Sequence, residues 1–154
     1  MNIIAIDYSM ATQSLDIFLS GCKSPHCEGC HNPESWDFNK GKPWTEWIHQ
    51  IFSNVELFDG MVKRIFVLGG EPLDQDEDEL KDMIAVLAGF TTKELWLFTR
   101  YSLDEVPDYI KRDCDYIKTG PYIEQLRDNN YISCGVRLAT LNQRVNKRGV
   151  DYLT

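Results

Sequence analysis

The chain has 154 residues, 43% of them hydrophobic and 26% charged, enough to bury a core as an ordinary globular protein. Its formal net charge is -8, opposite in sign to the basic surface that a free-standing nucleic-acid binder needs. No apolar run reaches the length of a membrane span, and Asp7, Asp16 and the polar run Ser9 to Ser14 interrupt the N-terminus, so neither signal peptide nor membrane helix is expected and the cytoplasm is the expected location.

Ile3 to Ile6 predicts a first short strand. Leu15 to Leu19 predicts a second, which runs directly into Gly21-Cys22. Residues 23–43 hold Pro, Gly, Asn and cysteines without periodicity, and read as a loop shaped by something other than a hydrophobic core. Trp44, Trp47, Ile48, Ile51, Phe52 and Val55 then fall on one face of a helix over 44–57. Ile65 to Leu68 has the continuous apolar character of a buried parallel strand, and it stops at Gly69-Gly70-Glu71-Pro72.

A second helix follows, with Leu80, Met83, Ile84 and Leu87 on one face. Asp74, Asp76, Glu77, Asp78 and Glu79 precede or open it, and read as a solvated helix start that suits the positive end of the dipole. Leu95 to Phe98 is a further strand leading to Thr99. Ser102 is expected to cap a short helix through Ile110, disturbed by Pro107. Tyr116 to Lys118 is the last predicted strand, and Tyr131 to Thr140 is expected to be extended. Alternating strands and helices predict a single α/β domain over 1–154 with a mainly parallel sheet. A closed eight-unit barrel takes about 250 residues, so an open, partial β/α barrel is expected. Chemistry in such folds gathers at strand C-termini. The cysteine loop, the Gly-Gly-Glu turn, Thr99 and Gly120 all fall there.

Five cysteines occur, at 22, 27, 30, 114 and 134. An odd number with no export signal argues against a disulfide framework. Cys22, Cys27 and Cys30 share one polar loop, where three thiolates can converge on a metal centre. A [4Fe-4S] cube held by three protein ligands keeps one iron open for chemistry. Zinc is the alternative: Cys27 and Cys30 have knuckle spacing, and His26, His31 or His49 could complete a site, giving a non-catalytic binding module. A redox pair at Cys27 and Cys30 leaves Cys22 without a role. Cys114 and Cys134 read as structural thiols. In the second motif, Gly69 and Gly70 are expected to let a ligand approach the backbone closely.

Together the two motifs resemble the radical S-adenosylmethionine superfamily, and within it the activases of glycyl-radical enzymes. Cys30-His31-Asn32-Pro33-Glu34-Ser35-Trp36 is similar to the segment after the last cluster cysteine in those activases. Trp96 to Tyr101, Thr119 to Leu126 and the tail Gly135 to Arg144 resemble the short branch that serves anaerobic (class III) ribonucleotide reductases. The resemblance implies that Cys22, Cys27 and Cys30 bind a [4Fe-4S] cluster. It implies that Gly29, Cys30 and His31 line S-adenosylmethionine by main chain. Gly69, Gly70 and Glu71 would hold its amino group, and Thr99 would supply a polar strand-end contact. No acid–base residue is implied beyond the cluster and its bound cofactor. A flavodoxin or ferredoxin would give the electron, and the reductase would receive the glycyl radical; another protein substrate is the alternative within the superfamily. One departure stands out: Lys23-Ser24-Pro25-His26 is one residue longer than the family's usual first gap. A loop absorbs such an insertion because no ladder must stay in register, and His26 is the residue to test beside Cys22.

Overall fold

The computed structural model describes residues 1–153. Two N-terminal strands rich in β-branched and aromatic residues, β1 (Asn2–Ser9) and β2 (Ser14–Leu19), form an antiparallel hairpin. The two-residue β3 (Lys42–Pro43) pairs antiparallel with β1 and leads into α1 (Trp44–Leu57). Then come β4 (Arg64–Gly69), α2 (Glu77–Phe90), β5 (Glu94–Phe98), α3 (Asp108–Asp113) and β6 (Tyr116–Thr119). A small hairpin of β7 (Ile132–Ser133) and β8 (Val136–Arg137) precedes β9 (Arg144–Lys147).

The large sheet has the order β3-β1-β2-β4-β5-β6-β9. β2, β4, β5 and β6 are parallel neighbours, whereas β1, β3 and β9 join antiparallel. The sheet is therefore mixed around a parallel centre, and its edges, β3 and β9, leave it open. Register aligns the site-bearing ends: Leu19 lies opposite Gly69, Val67 opposite Leu97, and Phe98 opposite Lys118.

Strand alternation divides the core between two faces. Ile17, Ile65, Val67, Leu95, Leu97 and Ile117 meet the three helices, whose buried contributions include Ile51, Leu80, Met83, Ile84, Leu87 and Ile110. At about 1.5–3 kcal/mol for each fully buried apolar side chain, the four from α2 make its docking strongly favourable. Phe66, Trp96, Phe98 and Tyr116 point to the opposite face, where Val136, Leu138 and Val145 of the C-terminal segment cover them.

Two expectations need correction, and one strand adds to them. The Ser102–Ile110 segment is not one helix but a 3-10 turn (Leu103–Glu105) followed by α3, because Pro107 stands at the N-terminal boundary of α3. The extended tail is the β7–β8 hairpin, turned by Cys134 and Gly135 with φ of 49° and 78°. Strand β9 was not foreseen. Only Val145 in it is apolar, and Asn146 is buried by donating to the Ile117 carbonyl at 3.0 Å and the Thr119 hydroxyl at 3.1 Å.

Candidate metal and cofactor site

Four parallel strands deliver four loops to one rim, and these loops enclose a cleft of about 290 Å³. Cys22, Cys27 and Cys30 border it, together with Gly69, Gly70, Glu71 and Thr99. The sequence expectation of one shared rim therefore holds for these residues. Gly29 and His31 do not border the cleft; His31 packs its ring against Tyr122, centroids 4.8 Å apart.

The cysteine loop is tied at its neck. Gly21 and Cys22 donate their backbone N–H groups to the carbonyls of Ser35 (2.7 Å) and Trp36 (3.1 Å). Gln75 donates to the Ser20 and Gly21 carbonyls at 3.0 and 3.1 Å. Within the loop the Asn32 N–H approaches the Cys30 sulfur at 3.5 Å. All three thiols are partly exposed, unlike Cys114, which is buried. Burial pushes the Cys22 thiol up to about 11, while the nearby Arg100 guanidinium pulls the other way.

The zinc alternative finds little support among the side chains. The His26 ring lies flat on Trp36, 3.8 Å between centroids, with its Nε2 hydrogen-bonded to the Cys22 carbonyl at 2.8 Å. His49 is exposed on α1. Among the described residues no three Cys, His, Asp or Glu side chains are placed to share a single metal ion. Three thiols border one cleft, and the histidine between the first two is engaged by Trp36 and the Cys22 carbonyl, which fits the all-thiolate ligand set of an iron–sulfur cluster.

The glycine turn meets a steric demand that its sequence reading did not include. A Cβ on Gly69 would lie 2.4 Å from the Leu19 nitrogen, and one on Gly70 would lie 2.2 Å from the Gly21 oxygen. The space left by the missing side chains is filled by the β2 backbone and its extension, while both glycines still border the cleft. Glu71, 2% exposed, braces the turn. Its carboxylate accepts from Leu73 N–H (3.0 Å), the Thr99 hydroxyl (2.6 Å) and Arg100 N–H (2.8 Å). Burial raises its pKa, and these three donors oppose the rise. Thr99 in turn accepts from Tyr101 N–H at 3.1 Å. Both side chains are thus engaged in joining the ends of β4 and β5.

Several residues in and behind the cleft escaped the sequence reading. Lys118 borders the cleft and donates to the Gly120 carbonyl at 2.9 Å. Burial pushes its amine down to about 8, against the pull of Glu71 and Cys27. A cation there favours an anionic group in the cleft. Gln143 also borders it, within the tail segment noted above. Asp74, expected in a solvated helix start, is 5% exposed and bonded to Arg100 and Tyr101; Asp76, not Asp74, caps α2. The only signal for Asp74 was the three-residue offset from Glu71, too weak to separate it from its acidic neighbours.

Residues 13–145 match the family described as a 4Fe-4S single cluster domain, and the chain belongs to it. Known relatives narrow the class. Over 123 residues the chain is 32% identical to the anaerobic ribonucleoside-triphosphate reductase-activating protein of Escherichia coli K12, covering 75% of this chain and 79% of that protein. The protein of the same name from Haemophilus influenzae is 32% identical over 120 residues, 75% of this chain and 72% of its own length. That of Enterobacteria phage T4 is 28% identical over 114 residues, 71% of each. No helix is long and apolar enough to cross a membrane among the described residues.

Proposed function

We propose that the chain, as one domain over 1–154 with an open barrel-like sheet, is a radical S-adenosylmethionine activase that installs a glycyl radical on anaerobic ribonucleotide reductase in the cytoplasm. The observation that carries the reading is the shared cleft: three loop thiols and the C-terminal ends of β4, β5 and β6 border it, in a chain of the 4Fe-4S family. Cys22, Cys27 and Cys30 would hold the cluster. With S-adenosylmethionine bound and an electron from a flavodoxin or ferredoxin, the cluster would supply reductive carbon–sulfur cleavage and, through it, removal of hydrogen from the reductase glycine.

The chain's own residues bind, orient and exclude water. Cys30 borders the cleft, and the main chain of Gly29, Cys30 and His31 within the cluster loop would line the cofactor. The turn Gly69-Gly70-Glu71 offers backbone polar groups to the cofactor's amino end, held in place by the Glu71–Thr99 brace. Lys118 supplies the positive charge for its carboxylate. Leu68, Phe98 and Trp36 present apolar surface to the cleft, which limits water around a reactive radical.

Anaerobic reconstitution tests the reading. Brown protein with about four irons per chain, release of 5′-deoxyadenosine under reduction, and a glycyl-radical signal on adding the reductase are the expected results. Colourless protein holding one zinc would overturn it.

A further inference from the structure

The stretch Lys23-Ser24-Pro25-His26 separates the first two thiols and contains no side chain buried in the core. It is nevertheless held from both sides. On one side, Arg100 donates from Nη2 to the Lys23 carbonyl at 2.8 Å and from Nη1 to the Pro25 carbonyl at 2.7 Å. Nη2 also meets Asp74 Oδ2 at 3.1 Å, and that oxygen accepts from Lys23 N–H at 2.7 Å. Tyr101 donates its hydroxyl to the other Asp74 oxygen. The Asp74 side chain is 3% exposed and the Arg100 side chain 17%, so the pair is shielded from the screening that weakens surface ion pairs. On the other side, His26 stacks on Trp36 and bonds the Cys22 carbonyl.

A planar guanidinium with five fixed donors can satisfy two carbonyls and a carboxylate at once, which an ammonium on a flexible stem does poorly. Arg100 leaves the end of β5 through a backbone N–H fixed by Glu71, so its side chain starts from a rigid point. Arg100 also borders the cleft that Cys22, Cys27 and Cys30 line.

We propose that Arg100, anchored by Asp74, is the positioning residue that closes the lengthened Cys22–Cys27 loop, so that Cys22 joins Cys27 and Cys30 as a ligand and the guanidinium lies beside the cluster's negative charge. This rests on the cluster assignment proposed above. The fork and the charge make separable contributions. Arg100→Lys keeps the charge and loses the fork; Arg100→Gln loses both.

The full chain is reconstituted anaerobically with iron and sulfide. Three quantities are then read: iron per chain, the rate of iron release to excess chelator, and the cluster's midpoint potential by spectroscopic titration. Arg100→Gln is expected to release iron about tenfold faster, the scale of one lost charge-assisted hydrogen bond. Its potential is expected to fall, because removing a nearby cation disfavours the more negative reduced cluster. Arg100→Lys is expected to recover the potential while still releasing iron faster than the wild type. If Arg100→Gln does not fold, Asp74→Asn carries the test, with faster iron release expected. Wild-type release and potential in Arg100→Gln, or in Asp74→Asn when that variant carries the test, would overturn the proposal. So would iron loss that only tracks a lowered unfolding midpoint of the metal-free protein with the potential unmoved. A wild-type chain that takes up no iron would instead sink the cluster assignment itself.

Discussion

Replacing Glu71 by Ala removes the acceptor for two backbone N–H groups and one hydroxyl, in a position 2% exposed. The Thr99 hydroxyl can rotate whereas the two N–H groups are fixed by the backbone, so the loss is counted on Leu73 N–H and Arg100 N–H. At about 1–3 kcal/mol for each buried donor left unmade, the expected destabilisation is about 3–5 kcal/mol once the lost side-chain packing is included. For a chain of this size, at roughly 2–4 °C per kcal/mol, the unfolding midpoint should fall by about 10 °C. Glu71→Gln keeps the shape and one carbonyl oxygen while removing a buried charge. The bond lost at one oxygen is offset by the relief of desolvation, and the variant should stay within about 1 kcal/mol of wild type. Urea unfolding of the metal-free protein followed by circular dichroism measures both. Equal losses for Ala and Gln, or a loss below about 1 kcal/mol for Ala, would refute the account of Glu71 as the brace between β4 and β5.

Gly70→Ala should cost about 3 kcal/mol or prevent folding, because its Cβ would lie 2.2 Å from a backbone oxygen with no side chain to move aside; a thermal midpoint within a degree or two of wild type would contradict this. Lys118→Met should raise the midpoint of the ligand-free protein and weaken S-adenosylmethionine binding, since the same burial that destabilises the ammonium lets it attract a carboxylate. With its amine at about 8, wild-type binding should be strongest below that pH and weaken as pH rises through it, whereas Lys118→Met should lose this dependence; calorimetric titration across pH 6.5–9.5 decides it. Cys22→Ala, Cys27→Ala and Cys30→Ala should each lose the cluster's visible absorbance, while Cys114→Ala keeps it because that thiol lies in the helix-side core. A stable brown Cys22→Ala protein would remove Cys22 from the ligand set.

Periodicity made the helices legible: Leu80, Met83, Ile84 and Leu87 announce α2, and the same residues are buried in it. The loop thiols and the strand-end turns were legible because they combine chemically distinctive residues with apolar runs that stop abruptly. What escaped has a common physical cause. Asp74, Arg100 and Lys118 are ordinary polar residues in sequence, and their roles arise from pairings 26 residues or more apart in the chain or from burial that only the assembled sheet creates. Strand β9 escaped because an edge position asks little apolar character of it. The glycines were located correctly, but the β2 backbone packed against them was not legible, since close approach of a backbone and close approach of a ligand leave the same trace in sequence.

Leu19, Gly69, Phe98 and Thr119 complete their sheet pairings before any site loop begins. An insertion beyond such a point is felt by its own loop and by whatever side chain grips it, while the ladder behind keeps its alignment. The rim can therefore change length one residue at a time without renegotiating the core. A single arginine–aspartate grip on Lys23 and Pro25 is the kind of local compensation through which this scaffold could accept loops of other sizes, and with them partners of other shapes.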